Sequence, residues 1–388
     1  MRIIWLCRWF GNYRIPLYAE LNRLTSGEFY MIYSRDAVSD SVHCGMKKAL
    51  GKNAIALDKE KHLIIGNPES NFANTYIDIP YQKGLLSVIN HINPDLIISD
   101  GFFQWTFYGA LRSWRRKLVV FYERTAYVER NVSKWRVQFR KLMGKFIDGF
   151  CINGFLTRQY LQQIGMGDRP MAEGCMVADA EGLQMAVDEC DEEIKSNLRK
   201  KISIADDGLL FLFVGQLVER KGVKELIEAW IDHINVYSFD KLIVVGEGIL
   251  ENKLKKISHG NNSIIFTGQI DYEHIPAYYA IADVFVMPTL EDNWSLVVPE
   301  AMACGKPIAT TPYNGCHVEL LKDGINGYLF DPYKKESTKD MLKKFHSASL
   351  DKMSIESAKI VENYTPKKAA AKIYKLCQKL ILPPVDLY

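Results

Sequence analysis

The chain has 388 residues, of which 48% are hydrophobic and 24% charged. This composition excludes a disordered, collagen-like or disulfide-stapled protein, and the length predicts two globular domains. The net charge is only +3, but residues 1–170 hold 24 Lys and Arg against 14 Asp and Glu, whereas the remainder holds 25 against 32. The first half is therefore suited to an anionic partner, and the second half is not.

The eight cysteines are scattered, with no Cys-x-x-Cys pair and no spacing typical of zinc ligands. Single thiols of this kind indicate a reducing compartment. The first apolar run is short and is broken by Arg8, unlike a secretory signal, and no run of 18 apolar residues occurs. We therefore expect a cytoplasmic protein, either soluble or peripheral on the inner face of the membrane.

Short apolar, β-rich segments alternate with helical patterns along the whole chain. Strands are predicted at residues 2–6, 29–33, 96–99, 117–122 and 149–152 in the first half, and at 209–214, 242–245, 263–266, 283–287 and 308–310 in the second. Several are apolar on both faces, as buried parallel strands are. Two blocks of alternating strands and helices predict an α/β protein with two doubly wound domains.

The predicted domain boundaries follow changes in composition. Residues 1–170 form an N-terminal domain, the acidic segment 171–207 forms a linker, and residues 208–365 form a C-terminal domain. Residues 366–388 begin with an alanine-rich, helix-favouring segment that ends before two prolines. This last helix is a candidate to cross back onto the first domain.

Residues 213–222 join a predicted strand to a predicted helix through Gly215, a polar loop and Gly222. Free N–H groups at the start of a helix, together with the helix dipole, favour a phosphate. Lys221 adds a positive charge there, and Arg220 adds a bidentate donor. The alternative is an ordinary strand–helix turn with solvated basic side chains.

Residues 287–308 contain a loop and a short apolar helix, for which Ser295 is the predicted N-cap. Glu300 lies inside the apolar run, where an unpaired carboxylate is costly. A ribose diol would supply the partners that it needs, and a salt bridge within the domain is the alternative. Gly246, after the strand at 242–245, allows either close approach of a ligand or a simple tight turn.

Seven segments occur in the order found in the family-four glycosyltransferases, which the second half of this chain resembles. They are residues 214–222, 245–248, 266–270, 279–288, 292–300, 300–307 and 323–327. The resemblance covers residues 205–335, and outside that region it extends only to length and two-domain architecture. It implies the α/β GT-B fold, in which two Rossmann-like, doubly wound domains face each other across a cleft.

The resemblance also implies roles for single residues. Lys221 matches the lysine that neutralises the donor diphosphate, and Glu300 matches the glutamate that binds the ribose hydroxyls. Asp292 falls where the family has a glutamate that contacts the transferred sugar. Because aspartate is one methylene shorter, that contact must shift or pass to Glu291.

Further donor contacts are implied by position in the family pattern. Backbone N–H groups that meet phosphate are expected at Asn293, Trp294, Ser295 and Leu296. Backbone groups that hold the nucleobase are expected at Gly268, Gln269 and Ile270. Gln216 follows Gly215 where the family has an arginine, so one diphosphate charge is lost unless Arg220 compensates.

In the first half, the family has a histidine after the strand corresponding to residues 117–122, near the reacting carbon. This chain has Glu123 there, which we take as the candidate polar replacement. A salt bridge from Glu123 to Arg124 or Arg130 is the alternative.

The loop after the first strand falls where the family borders both donor phosphate and acceptor. Its candidate contacts are Gly11, Asn12 and Arg14. Arg14 either reaches an anionic group or is a solvated residue leading into a helix.

Residues 112–145 hold eleven Lys and Arg and only two acidic residues. An apolar helical stripe is predicted from Val132, Trp135, Phe139, Leu142, Met143 and Phe146, and basic residues lie largely off it. A basic amphipathic helix with Trp indicates an anionic membrane surface. The alternative is a helix whose apolar stripe faces the core and whose basic face is solvated. No nucleic-acid motif accompanies the charge, so no nucleic-acid partner is expected.

The resemblance implies a retaining, metal-independent glycosyltransferase that moves a sugar from a UDP- or GDP-sugar to a glycan or lipid-linked saccharide, in cell-surface polysaccharide synthesis. No cofactor or metal is expected, and no strict Asp-x-Asp motif occurs. The catalytic candidates are Asp292, Glu291 and Glu123. The alternatives are a GT-B-shaped sugar-nucleotide epimerase and a catalytically silent nucleotide-binding protein, the latter suggested by Gln216 and the missing histidine.

Overall fold

The computed structural model describes residues 1–69, 72–103, 105–111, 116–204 and 207–382. The chain divides into two compact units, one formed by Met1–Val177 with the chain from Tyr364 onward, the other by Ala178–Asn363. Among the described residues, no helix combines the length and the apolar character needed to cross a bilayer.

Parallel strands form the centre of the N-terminal unit. The strands are β1 Ile3–Leu6, β2 Phe29–Ser34, β3 Ala54–Leu57, β4 Lys61–Gly66, β5 Tyr76–Tyr81, β6 Leu96–Asp100, β7 Lys117–Tyr122, β8 Gly149–Ile152 and β9 Met171–Ala172. Strands β4 and β5 pair as a separate antiparallel hairpin, and the others form one parallel sheet in the order β3-β2-β1-β6-β7-β8-β9. The five strands predicted for this half are confirmed. Even a four-residue strand such as β1 was recognisable, because it is buried on both faces and therefore apolar throughout.

Helices connect these strands in the manner of a doubly wound fold. They are α1 Ile15–Leu24, α2 Asp40–Leu50, α3 Leu85–Ile92, α4 Thr106–Ala110, α5 Lys134–Gly144 and α6 Phe155–Gln163. The strand order reverses between β1 and β6, so side chains that follow these two strands lie at the unit's expected binding edge.

The C-terminal unit repeats this architecture with a second parallel sheet. Its strands are β10 Leu210–Val214, β11 Lys241–Val245, β12 Ile264–Gly268, β13 Val284–Met287, β14 Ile308–Thr310 and β15 Gly327–Leu329. Its helices are α7 Ala180–Asp188, α8 Glu192–Ile202, α9 Val223–His233, α10 Glu251–Ile257, α11 Ile275–Ile281, α12 Val297–Ala303, α13 His317–Leu320, α14 Lys335–Phe345 and α15 Leu350–Val361. The sheet order is β12-β11-β10-β13-β14-β15, which reverses between β10 and β13. All five predicted strands of this half are confirmed.

The predicted linker is corrected by the structure. Residues 171–207 contain β9, which pairs with β8 in the N-terminal sheet, followed by α7 and α8. Helix α7 packs against α11 and α12, and α8 packs against α11, so both are part of the C-terminal unit. The final helix, α16 Pro366–Ile381, packs on α1 and on strands β8 and β9 of the N-terminal unit. Residues 383–388 of the predicted tail lie outside the described residues.

The orientation of helix α5 contradicts the alternative of a core-facing apolar stripe with a solvated basic face. Trp135, Leu142 and Phe146, predicted on a buried or membrane-facing stripe, are 55%, 52% and 45% exposed. Arg136 and Arg140, predicted on a solvated basic face, are buried. The basic segment begins at residues 112–115, which lie outside the described residues.

A buried carboxylate explains this orientation. Glu129 accepts hydrogen bonds from Arg140 at 2.5 Å and from Arg124 at 2.9 Å. Arg140 also donates to the Tyr160 hydroxyl at 2.6 Å, so its guanidinium has two partners inside the unit. A buried carboxylate without these partners would be strongly unfavourable, and the helix therefore turns its arginines inward.

Candidate functional site

The loops that follow β10 and β13 lie side by side, because the C-terminal sheet reverses its strand order between them. One backbone group holds them together. The carbonyl of Arg220 accepts hydrogen bonds from the N–H groups of Leu290 (2.7 Å) and Glu291 (3.2 Å) and from the Thr289 hydroxyl (2.8 Å). The two segments that the sequence marked separately, 213–222 and 287–308, therefore meet in one site.

Asp292 is the centre of charge in this site. Its Oδ2 accepts hydrogen bonds from Lys221 Nζ at 2.5 Å and from the Ser295 hydroxyl at 2.8 Å, and Arg220 Nη1 lies 3.4 Å away. Burial alone would raise the pKa of Asp292, but the charges of Lys221 and Arg220 outweigh it and lower the pKa to about 2. The alternative of solvated basic side chains is therefore wrong for Lys221, whose side chain is only 12% exposed and pairs with the carboxylate.

Ser295 does not cap the following helix as predicted. Helix α12 begins at Val297, its N-cap residue is Leu296, and no side chain accepts a cap hydrogen bond. The Ser295 hydroxyl is drawn to Asp292 instead, and its backbone N–H donates to Asn314 Oδ1 at 3.2 Å. The Trp294 N–H likewise donates to Asp292 Oδ1 at 3.3 Å. These two N–H groups have partners within the loop, and the phosphate contacts expected at Asn293, Trp294, Ser295 and Leu296 stay predictions.

Glu300 is buried on α12, facing α11. The Tyr279 hydroxyl donates to its Oε2 over 3.4 Å, and no cation pairs with it among the described residues. The salt-bridge alternative is therefore wrong. Burial raises the pKa of Glu300 to about 7, with a smaller contribution from the negative charge of Asp179 and an opposing one from the Tyr279 hydrogen bond.

Glycines let the loop backbones approach each other. A Cβ on Gly246 would lie 2.0 Å from the carbonyl oxygen of Gly215, and the Gly246 N–H donates to the Gly268 carbonyl at 2.9 Å. Gly222 has φ +67°, and a Cβ there would lie 2.0 Å from the carbonyl oxygen of Pro288. The close approach that the sequence indicated is therefore made by the chain's own backbone.

These glycines yield a first prediction. Gly222→Ala should lower the free energy of unfolding by at least about 3 kcal/mol, because the methyl group collides with backbone that cannot move freely. Gly268→Ala is the matched control: Gly268 has φ +71° but open space around it, so only the conformational penalty of about 1 kcal/mol applies. Urea unfolding followed by circular dichroism measures both, and equal losses would contradict the packing role of Gly222.

The remaining predicted donor residues lie along the same edge of the sheet. Gln216 and Gln269 are exposed just beyond β10 and β12, and Ile270 is half-buried. Asn293 and Leu296 are half-buried in the loop after β13, where Trp294 and Glu291 are buried. The edge is thus continuous from the loop after β12 to the loop after β13, and the ligand contacts of these residues stay predictions.

The N-terminal unit corrects the prediction for Arg14. Arg14 is buried, pairs with Asp100 at 2.8 Å and lies 4.6 Å above the Phe121 ring. It is therefore neither solvated nor presented to a ligand as predicted. Burial works against its charge, but Tyr18 and Asp100 outweigh it and raise the pKa of Arg14.

Asp100 is the functional candidate that sequence reasoning missed. It ends β6, beside the end of β1, and it accepts hydrogen bonds from the Trp5 indole (2.7 Å), the Cys7 thiol (2.9 Å) and Arg14. An acidic residue at the end of an apolar strand was the available signal. Asp100 fixes the short 3₁₀ helix Asn12–Arg14, which Gly11 precedes.

Glu123 follows β7 and is half-buried. Its predicted alternative partner Arg124 pairs with Glu129 instead, at 2.9 Å. Arg130, the other alternative, lies over the Tyr127 ring at 4.1 Å. Burial chiefly raises the pKa of Tyr13, and the negative charge of Glu123 raises it further. Glu123 therefore lies close to Tyr13, in the loop that also contains Gly11 and Asn12.

Comparison with known proteins agrees with this geometry. Residues 194–375 match the family described as glycosyl transferases group 1. An uncharacterized glycosyltransferase of Methanocaldococcus jannaschii is 33% identical over 198 residues, which cover 49% of this chain and 48% of that protein. The lipopolysaccharide 1,2-N-acetylglucosaminetransferase of Salmonella typhimurium is 30% identical over 156 residues, covering 37% of this chain and 40% of that protein. The chain thus matches about half, or less, of the length of these curated relatives.

Similarity to solved structures extends over almost the whole chain. The crystal structure of Anabaena HepE in complex with UDP has a TM-score of 0.74 and 15% sequence identity, and the match covers 97% of this chain and 99% of that one. This likeness shows the fold, which is the expected α/β GT-B fold. The chain therefore has the GT-B fold, and its residues 194–375 are similar to the glycosyl transferases of group 1.

Proposed function

We propose that this protein transfers a sugar from a nucleotide sugar to a glycan or lipid-linked saccharide, in the synthesis of a cell-surface polysaccharide. The observation that carries the proposal is the cluster of Lys221, Arg220 and Asp292 at the sheet's reversal point, with the buried carboxyl of Glu300 on the helix that follows the same loop. The HepE complex with UDP supports a UDP-sugar as donor, and the lipopolysaccharide-synthesising relative supports a surface glycan as acceptor.

The charges suit a diphosphate leaving group. Negative charge develops on the diphosphate as the bond to the anomeric carbon breaks, and Lys221 and Arg220 would stabilise it. We propose that these two cations take the place of a metal ion. The ionised carboxylate of Glu300 would accept hydrogen bonds from the two ribose hydroxyls, which would replace the long hydrogen bond from Tyr279 as its main partner.

We propose retention of configuration by a front-face reaction. Asp292 is occupied by Lys221, Arg220 and Ser295, so it is poorly placed to act as a nucleophile. The acceptor oxygen would bond to the anomeric carbon on the face that the phosphate leaves, and the acceptor proton would pass to the departing phosphate oxygen. Isolation of a covalent glycosyl-enzyme would overturn this mechanism.

A nucleotide panel tests the donor site directly. Among UDP, GDP, ADP, CMP and dTDP, we expect UDP to raise the melting temperature most, since a ligand at a hundred times its Kd adds about 2.7 kcal/mol. Differential scanning fluorimetry measures the shift, with Glu300→Ala as the variant that should lose it. Absence of any shift would contradict the donor site. A shift without transfer to any acceptor would favour a catalytically silent nucleotide-binding protein, and epimer formation without acceptor would favour an epimerase.

A further inference from the structure

One face of α5 carries an exposed mixture of apolar and cationic side chains. They are Lys134, Trp135, Gln138, Lys141 and Leu142 of α5 together with Lys145 and Phe146, which directly follow it, and are here called the α5 outer face. Each of its three large apolar side chains has a lysine next to it along the helix or on the next turn. No acidic residue lies on this face.

The orientation of the α5 outer face is determined by the packing beneath it. Arg140 is held by Glu129 and Tyr160, and Arg136 donates to Asn74 Oδ1 at 3.0 Å and to the Tyr76 carbonyl at 2.9 Å. Rotating α5 to bury its apolar residues would expose both arginines. The rotation would break their hydrogen bonds and leave the buried carboxylate of Glu129 without Arg140. The apolar face is therefore held outward.

The exposed apolar surface continues onto the neighbouring segment. Phe103 stacks on Phe139 with ring centroids 4.7 Å apart and meets the edge of the Trp135 ring at 6.2 Å. Phe107 and Leu111, which follow Phe103 in the chain at α4, are also exposed. The exposed Trp135, Leu142 and Phe146, with Phe103 packed beside Trp135, indicate a contact surface.

The charges of the α5 outer face identify its occupant. Lys134, Lys141 and Lys145 form no ion pair with any described residue, so three cationic groups are free to meet an anionic surface. Trp and Phe beside Lys are the side chains that favour the headgroup region of a bilayer. A symmetric contact with a second copy of this chain would instead place these lysines against each other.

We propose that the α5 outer face docks the N-terminal unit onto an anionic membrane surface, with Trp135, Leu142 and Phe146 in the headgroup region and the lysines on lipid phosphates. This docking proposal rests on the proposed function, since a lipid-linked acceptor is presented at such a surface. Docking itself can be measured without sugar transfer. The surface differs from the one that the sequence indicated, because Met143 is buried and the arginines face inward.

Sedimentation with vesicles tests the proposal on the full chain. Vesicles of equimolar phosphatidylglycerol and phosphatidylcholine should bind the protein, and pure phosphatidylcholine vesicles should bind it weakly. The variant Lys134→Ala/Lys141→Ala/Lys145→Ala should bind the anionic vesicles about a hundredfold more weakly. The control is Lys200→Ala/Lys201→Ala/Lys343→Ala, three exposed lysines of the C-terminal unit, which should bind like the native chain.

A second variant separates insertion from simple attraction. Trp135→Ser/Leu142→Ser/Phe146→Ser keeps the lysines and should still lose most of its binding at physiological salt. If this variant binds vesicles as well as the native chain does, docking through the apolar groups is overturned. If light scattering shows that the variant forms a smaller oligomer than the native chain, the face belongs to a contact with a second copy. Nucleotide-induced stabilisation, measured on each variant, should be unchanged, so a failure of membrane docking is distinguishable from a failure of the donor site.

Discussion

Asp292→Asn should strengthen the binding of UDP about tenfold while lowering the rate of sugar transfer by at least about a hundredfold. In the nucleotide-free protein the Asp292 carboxylate neutralises Lys221 at 2.5 Å, with Arg220 close by. A diphosphate must compete with that carboxylate for the same two cations. Asparagine removes the competing charge but also removes the group predicted to contact the transferred sugar.

Isothermal titration calorimetry with UDP and turnover with a UDP-sugar measure the two effects separately. Asp232→Asn is a suitable control, because Asp232 forms an exposed ion pair with Lys335 at 2.8 Å on the same unit. It should change neither quantity. Weaker UDP binding by Asp292→Asn would show that the carboxylate positions Lys221 for the diphosphate rather than competing with it.

Glu300→Gln should abolish a pH dependence of stability that the native protein shows. Burial raises the pKa of Glu300 from its ordinary value of 4.5 to about 7 in the folded chain, so folding favours the protonated form. The contribution of Glu300 is therefore most favourable below pH 4.5, declines as the pH rises and is about 3 kcal/mol less favourable above pH 7. The glutamine variant, which cannot ionise, should gain stability relative to the native chain at pH 8.

Urea unfolding at pH 5 and pH 8 measures this difference, and equal pH dependence in both proteins would contradict the buried, uncharged state of Glu300. Nucleotide binding should respond in the opposite direction. The ionised carboxylate accepts ribose hydroxyls better, so native UDP affinity should fall below pH 7, whereas Glu300→Gln should bind about thirtyfold more weakly at pH 8 without this dependence. The native protein should also prefer UDP to 2′-deoxy-UDP, and the variant should lose that preference.

Strands with strong apolar patterns were predictable from the sequence, whereas weakly patterned ones were not. Every predicted strand is present, since buried parallel strands are continuous apolar runs. β9 has two residues, too few for any periodicity. The hairpin β4–β5 was missed because β4 is exposed throughout and lacks the alternation of a half-buried strand.

Side-chain partnerships limited the prediction of the site. The order of segments placed Lys221, Asp292 and Glu300 in one site, and the structure brings Lys221 and Asp292 into contact. It did not indicate that Ser295 would bond Asp292 rather than cap α12, since both uses suit a serine at that position. Arg14 and Arg140 were misjudged because their partners, Asp100 and Glu129, are distant in sequence or marked by no motif.

Backbone hydrogen bonds and glycine contacts, rather than the exposed side chains, maintain the shape of the loops around β10, β11 and β13. The exposed side chains of Gln216 and Gln269 contribute little to that shape. Substitutions at these two positions should therefore leave the scaffold intact, so their predicted contacts with the diphosphate and the nucleobase can be varied separately from the stability of the unit.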